Sequence, residues 1–145
     1  MVVYFPCLTV TDINRLQIIQ NTCSRLINNL RKYDHISHTY SDLKWLNMKN
    51  LFKYNFLCFV HKIMLTSIPA YLREKLVSRF TIHNLSVRRK SIITMPLHRT
   101  ALFDRSFTCN AVKLYNSISH EMRTTNSMTS LKKMLKEMLL NKQHN

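Results

Sequence analysis

The chain has 145 residues, the size of about one domain, and 22 Lys and Arg outnumber seven Asp and Glu to give a formal net charge of +15. A hydrophobic content of 46% is enough for a globular fold and excludes a disordered chain. The chain has no glycine, which excludes the phosphate-binding loop, the dinucleotide-binding turn and the nucleophile elbow. Such an excess of positive charge favours a polyanionic partner, with phosphate backbones first and an anionic membrane surface second.

The first predicted helix covers residues 12–31, with Thr11 or Asp12 as its cap. Its opposite face is polar and basic. If the chain depends on absent neighbours for its stability, we expect the apolar face of this helix to be exposed. The apolar positions that define the face follow the spacing of an amphipathic helix: Ile13, Leu16, Ile19, Cys23, Leu26, Ile27 and Leu30.

Two helices are predicted next. Thr39 or Ser41 is expected to cap a short helix that ends near Trp45. Asn47 is expected to cap a longer helix over about residues 48–66, which is apolar nearly all round. A helix with this pattern is typical of the centre of a domain, so we expect it to be the most buried element.

The middle of the chain changes character after Pro69. A helix is predicted from Pro69 to Ser78, with Ser67 as its cap. Residues 79–102 lose helical periodicity and gain positive charge, which predicts a basic connector with a strand-like run from Ser91 to Met95 that ends at Pro96.

Helical spacing returns from Phe103 to Tyr115 and again behind Ser127, the expected cap of a lysine-rich final helix. We therefore predict an all-α fold of five or six helices in an irregular bundle with one basic extended connector. The whole chain, 1–145, is expected to form a single helical domain. Its parts are an N-terminal helical part (12–78), the connector (79–102) and C-terminal helices (103–141).

The four cysteines are widely spaced in apolar surroundings, and no basic leader or long apolar run accompanies them. We expect reduced thiols in a protein that is nuclear or cytoplasmic and not secreted. The pairs Cys58-x-x-His61 and His35-x-x-His38 contain the donors that zinc prefers. However, Cys58 and His61 share the face of an apolar helix, where a core thiol and a hydrogen-bonded imidazole are the favoured interpretation, so neither a metal nor a cofactor is predicted. A cysteine nucleophile activated by histidine is disfavoured, because the sequence indicates neither a group that would orient the histidine nor an oxyanion site.

Clustered basic residues are the best candidates for a binding site, with a solvated surface as the competing interpretation. Phe80 and Phe103 lie near them in the sequence and could stack on unpaired bases. The lysine-rich final helix could also lie on a membrane, but its Leu and Met face is better explained by core packing, so no membrane partner is predicted. The residues predicted to hold phosphates are Arg79, Arg88, Arg89, Lys90, Arg99, Lys132, Lys133 and Lys136.

Several short motifs occur in a fixed order along the chain, and together they resemble one family. They are Leu16-Gln17-x-x-Gln20-Asn21, Trp45-Leu46, Pro69-Ala70-Tyr71-Leu72, Pro96-x-x-Arg99 and Tyr115-Asn116-Ser117, followed by a final helix with Lys132 and Lys133. The order resembles the C-terminal region of reverse transcriptases of non-LTR retrotransposons of the jockey kind, over about residues 2–141. The family usually has tryptophan at the position of Tyr115, proline at that of Ser119 and proline at that of Asn47.

The resemblance implies a nucleic-acid-binding accessory region that helps to grip template RNA or target DNA, with the missing polymerase domain as a further partner. The palm of that family uses paired aspartates to hold two metal ions, and no Asp-Asp pair occurs in this sequence. We therefore expect no polymerase or endonuclease activity, and no enzyme. The alternative is a helical packing or interaction module, or an inert remnant of a degraded retroelement without independent activity.

Overall fold

Eight helices follow one another in the residues that the structure, a computed structural model, describes, namely 8–79 and 93–144. The predicted all-α class is therefore confirmed. The helices are α1 (Val10–Ile27), α2 (Ser37–Asp42), α3 (Met48–Thr66), α4 (Ala70–Glu74), α5 (Ala101–Asp104), α6 (Phe107–Asn116), α7 (His120–Thr124) and α8 (Met128–His144).

Helix α3 is the centre of the fold, as its apolar composition predicted. Asn47 caps its start, because the side-chain oxygen accepts a hydrogen bond of 2.9 Å from the backbone N–H of Asn50. Helices α6 and α8 pack against it. The fully buried side chains at this junction belong to all three helices: Phe56, Val60 and Ile63 of α3, Val112 of α6, and Leu131 and Leu135 of α8.

Helix α8 runs antiparallel to α3. The amide of Asn50, near the start of α3, donates to the carbonyl of Leu139 near the end of α8 at 3.4 Å. At the opposite end, His61 of α3 lies against the carbonyl of Thr125, just before α8. The predicted cap of α8 is observed, since the Ser127 hydroxyl accepts from the backbone N–H of Ser130.

The caps of the first two helices differ from the predictions. Thr9 caps α1 in a capping box with Asp12, so the helix begins two residues before the predicted start. Thr39 and Ser41, the two residues proposed as the cap of α2, both lie inside that helix, and Thr39 is fully buried. Its hydroxyl is 2.6 Å from that of Ser24, so it joins α2 to α1 instead of capping a helix.

Ser67 was predicted to cap the helix after α3, and it instead ends α3 in the left-handed conformation with φ 56°. The short helix α4 then begins with Pro69 as its cap. Asn29 and Lys44 also have positive φ. Glycine usually fills such positions, and in a chain without glycine asparagine, serine and lysine fill them.

The described part of the predicted connector is not uniformly extended. Helix α5 begins with Thr100 as its cap and lies at the end of the predicted connector. Before α5, Ile93 forms an isolated antiparallel bridge with Ser78. None of the described helices combines the length and the apolar character that crossing a bilayer requires.

Candidate nucleic-acid interface

The predicted phosphate-binding residues fall into three groups in the structure. Arg88, Arg89 and Lys90 lie outside the described residues, as does Phe80. Arg79 and Arg99 are exposed at the two described ends of the connector. The remaining three, Lys132, Lys133 and Lys136, are exposed on α8.

Backbone hydrogen bonds join Ile93 and Thr94, inside the connector, to the residues just before it. Ile93 pairs with Ser78, and the N–H of Thr94 donates to the carbonyl of Val77 at 2.8 Å. Asn116 adds two bonds, because its side chain accepts from Ile93 N at 3.0 Å and donates to Ile93 O at 2.9 Å. The asparagine of the Tyr115-Asn116-Ser117 motif therefore anchors the connector to the end of α6.

Lys132 and Lys136 lie on one flank of α8, since residues four apart share a helix face. Lys136 and Tyr54 both line one groove. Burial is the larger influence on the Cys58 thiol and raises its pKa, and the positive charge of Lys132 is close enough to lower that pKa slightly. The thiol therefore stays protonated near neutral pH, which does not suit a nucleophile.

A second group of lysines comes together where α3 begins and α8 ends. Asn47 is hydrogen-bonded to Gln143, and Asn50 is hydrogen-bonded to Leu139. The start of α3 and the end of α8 are therefore in direct contact. The lysines beside these contacts are Lys49, Lys53 and Lys142. Burial, and then the positive charges of Lys49 and Lys142, lower the pKa of Lys53.

The lysine cluster of Lys49, Lys53 and Lys142 was not predicted from the sequence. The two lysines on α3 are four residues apart, so they share a helix face, and this spacing was the available signal. Helix α3 was predicted to be the most buried element, so its lysines were not considered as a surface, and the third member of the cluster is distant in the sequence. Only the contact between the two helix ends brings the three side chains together.

Few of the cations within residues 8–79 and 93–144 are neutralised by carboxylates. The ion pairs found there both involve Asp104, with Lys113 Nζ at 2.6 Å and His98 Nε2 at 3.1 Å. The hydrogen bond from Lys113 lowers the pKa of Asp104. The lysine cluster has no such partner among the described acidic residues, so its charge is available to an external anion.

His98, Asp104 and Cys109 form a compact set of metal-type donors, with ligand atoms within 4.8 Å of one another. Cys109 Sγ lies 3.8 Å from His98 Nδ1, and His98 Nε2 faces Asp104. This is also the order of a Cys-His-carboxylate catalytic set. Cys109 is fully buried, however, so a substrate cannot reach its sulfur. The Lys113 ammonium already occupies the carboxylate, and we interpret the set as an anchor of the segment before α6.

Of the zinc candidates singled out from the sequence, His61 makes other contacts with both of its ring nitrogens. His61 Nδ1 lies 2.9 Å from the Tyr115 hydroxyl and its Nε2 lies 2.9 Å from the carbonyl of Thr125. Both ring nitrogens are therefore occupied. His35 and His38 are exposed on the segment around α2. The favoured interpretation of His61 as a hydrogen-bonded core imidazole is confirmed.

The motif residues of the first two elements form a polar contact between α1 and the segment that leads into α3. Gln17 donates to the Tyr40 hydroxyl at 2.7 Å and accepts from the backbone N–H of Met48 at 2.8 Å. Gln20 donates to the carbonyl of Leu46 at 2.8 Å. The Leu16-Gln17-x-x-Gln20-Asn21 motif is thus a structural device that fixes the orientation of α1.

In comparisons with protein-family models, curated proteins and solved structures, nothing matches this chain. The resemblance to retroelement reverse transcriptases therefore rests on the ordered motifs alone.

Proposed function

We propose that this chain is a non-catalytic nucleic-acid-binding module that holds sugar-phosphate backbones by charge, as an accessory region resembling the C-terminal tail of a retroelement reverse transcriptase. The observation that supports the proposal most directly is the lysine cluster at the junction of α3 and α8. Three cations gather there without a carboxylate partner among the described residues. Mutual repulsion makes this arrangement costly unless an anion is bound.

A phosphate backbone fits such a cluster better than a small anion does. Each phosphate that a lysine neutralises releases condensed counterions, and several lysines in a row add their effects. Lys132, Lys133 and Lys136 add exposed positive charge nearer the start of α8. A chain of net charge +15 also attracts nucleic acid from a distance, independently of base sequence.

The proposed binding reads no bases. Lysine ammonium groups act as point charges on phosphates, and sequence recognition requires contacts to base edges. The motif side chains that could have contacted bases, Gln17, Gln20 and Asn116, are already bound to groups of this chain. The module would therefore increase affinity for a template or target without choosing its sequence.

The test is a fluorescence-anisotropy titration of single-stranded RNA against the full chain at several salt concentrations. The cluster variant is Lys49→Gln, Lys53→Gln and Lys142→Gln in one chain. The matched control removes the same number of charges at exposed lysines elsewhere, as Lys32→Gln, Lys62→Gln and Lys75→Gln. A third variant, Arg88→Gln, Arg89→Gln and Lys90→Gln, measures the contribution of the basic run predicted from the sequence.

We expect the cluster variant to bind more weakly than the control and to reduce the salt slope by about 2, since each lost phosphate contact removes ~0.7 for a single strand. Equal losses in the cluster and control variants would contradict a local site and leave only diffuse attraction. Binding by the parent chain that does not change with salt would contradict the proposed function itself. Circular dichroism of each variant checks that the fold is retained.

A further inference from the structure

Helix α1 presents its apolar face to solvent. Ile19 is 60% exposed, Leu26 is 83% exposed and Ile27 is 56% exposed. Together with Cys23, which is also exposed, these side chains follow an i, i+4, i+7, i+8 pattern and form one ridge along the helix. Leaving such a ridge in water loses the stabilisation that burial of large apolar side chains provides, about 1.5–3 kcal/mol each when complete.

The orientation of α1 is set by specific bonds, so the exposed ridge is not the result of a loosely placed helix. Gln17 and Gln20 are bonded to α2 and to the start of α3, as described above. Ser24 is fully buried and lies 2.6 Å from the Thr39 hydroxyl. Rotating the apolar ridge inward would break these bonds and take the amide partners away from the N–H of Met48 and the carbonyl of Leu46, which is costly.

The ridge continues into an apolar groove of about 490 Å³. Ile19 and Cys23 form one wall, and Trp45, Leu51 and Tyr54 are among the residues that line the rest. Large aromatic side chains such as tryptophan and tyrosine are typical anchors of protein interfaces. A groove beside a helical ridge is the geometry into which an amphipathic helix packs.

The charges around the groove indicate what kind of helix this would be. Lys44 and Lys136 lie in its lining, and no carboxylate is among the described residues that line it. Neither lysine is in the ion pairs found within residues 8–79 and 93–144. A second copy of the chain would bring another net charge of +15 and the same lysines against these, so self-association is electrostatically disfavoured. Carboxylates beside an apolar stripe would complement both the lysines and the ridge.

We propose that the α1 ridge and the adjoining groove dock an acidic amphipathic helix of a partner protein, with apolar side chains around Trp45 and carboxylates toward Lys44 and Lys136. This interaction does not depend on the nucleic-acid-binding proposal. Lys136 is shared, since it lines the groove and is also a predicted phosphate-binding residue, but Lys49, Lys53 and Lys142 do not line the groove. Variants of that cluster therefore test nucleic-acid binding, and variants of the α1 ridge test docking of the helix.

Trp45 is the only tryptophan of the chain and lines the groove, so its fluorescence reports on occupancy. The probe is a synthetic helical peptide of about 18 residues with leucines at i, i+3, i+4 and i+7 and glutamates on both flanks. One control peptide has the same composition in scrambled order, and another has lysines in place of the glutamates. We expect a saturable change in Trp45 emission with the probe and affinities weaker by roughly tenfold or more for both controls.

Two variants of the exposed ridge, Ile19→Glu and Leu26→Glu, should abolish or weaken binding by a similar factor. Because both side chains are largely in water, neither variant is expected to unfold the chain. Leu102→Glu is the matched control, since Leu102 is 83% exposed on α5 and does not line the groove. The charge-reversed variant Lys136→Glu should reduce affinity for the acidic peptide and increase it for the lysine peptide.

Three results would overturn the proposal. Equal binding of the scrambled and ordered peptides would mean that the groove takes any acidic apolar chain. Concentration-dependent self-association that Leu26→Glu removes, measured by sedimentation equilibrium, would assign the ridge to a second copy. Binding of the probe only after deletion of residues 1–7 would mean that the chain covers the ridge itself.

Discussion

The hydroxyl of Tyr115 lies 2.9 Å from Nδ1 of His61, and this pair joins α6 to α3 inside the core. The other ring nitrogen, Nε2, lies 2.9 Å from the carbonyl of Thr125. A carbonyl only accepts hydrogen bonds, so we assign the ring proton to Nε2 and the acceptor role to Nδ1. Tyr115 then donates to His61, and a neutral imidazole is fully paired without a carboxylate.

Removing the hydroxyl with Tyr115→Phe should lower the free energy of unfolding by about 1–3 kcal/mol, because His61 Nδ1 is left buried without a donor. The same burial raises the pKa of Tyr115 to about 12, so the hydroxyl keeps its proton over the whole working range of pH. Urea denaturation followed by circular dichroism measures the change. Tyr71→Phe is the control, since Tyr71 is 63% exposed, and equal effects of the two substitutions would contradict the assigned bond.

Because of His61, the free energy of unfolding should fall as the pH is lowered. Burial lowers the pKa of His61 below its ordinary value of 6.5, so the unfolded chain binds this proton more readily than the folded chain. The stabilisation that neutral His61 gives to the folded chain is therefore complete above pH 6.5, and it is lost as the pH falls from 6.5 toward the pKa of His61 in the folded chain.

The measurement for His61 compares unfolding free energies at about pH 7.5 and about pH 5 for the parent chain and for His61→Gln. The variant should be less stable overall but should lose less on acidification. His120→Gln, at an exposed histidine, should keep the parental loss. A parental loss that survives in His61→Gln would show that other groups carry the pH dependence.

Local signals predicted the parts of the fold that depend on neighbours in sequence. The bounds of α3 followed from the Asn47 cap and the apolar run behind it, and the Ser127 cap of α8 was found in the same way. The orientation of α1 could not be predicted in that way. Its amides bind groups 23 to 31 residues away, and helical periodicity does not reveal which of two faces finds such partners.

The candidate interface also has a part that the sequence predicts and a part that only the folded chain brings together. Runs of basic residues can be recognised in the sequence. Lys53 and Lys142, however, are 89 positions apart, and only the contact between the start of α3 and the end of α8 brings them into one cluster. Asn116 likewise looked like part of a family motif. Its two bonds to Ile93, 23 residues away, give the motif a structural reason.

The amide contact of α1 gives a third prediction. Gln20→Ala should lower the free energy of unfolding by about 1–2 kcal/mol, because the carbonyl of Leu46 loses its donor while Leu46 itself is buried. The emission of Trp45, the neighbour of Leu46, should shift in the folded state as the contact loosens. Asn14→Ala on the exposed side of α1 is the control and should change neither property. An unchanged unfolding midpoint for Gln20→Ala would contradict the structural role of the motif.

Asn47 gives the last prediction, because two separate bonds meet at this residue. Its side chain caps α3 through Asn50 N, and its own N–H donates to Gln143 Oε1, both at 2.9 Å. Asn47→Ala should lose only the cap and lower the free energy of unfolding by about 1 kcal/mol. Asn47→Pro introduces the residue that the resembling family usually has, and the φ of −62° already suits proline. Asn47→Pro removes both bonds, however, so in this chain it should be more destabilising than Asn47→Ala. The difference between the melting temperatures of the two variants in thermal denaturation then measures the bond to Gln143. The opposite ranking would mean that proline's restriction of the unfolded chain outweighs that bond.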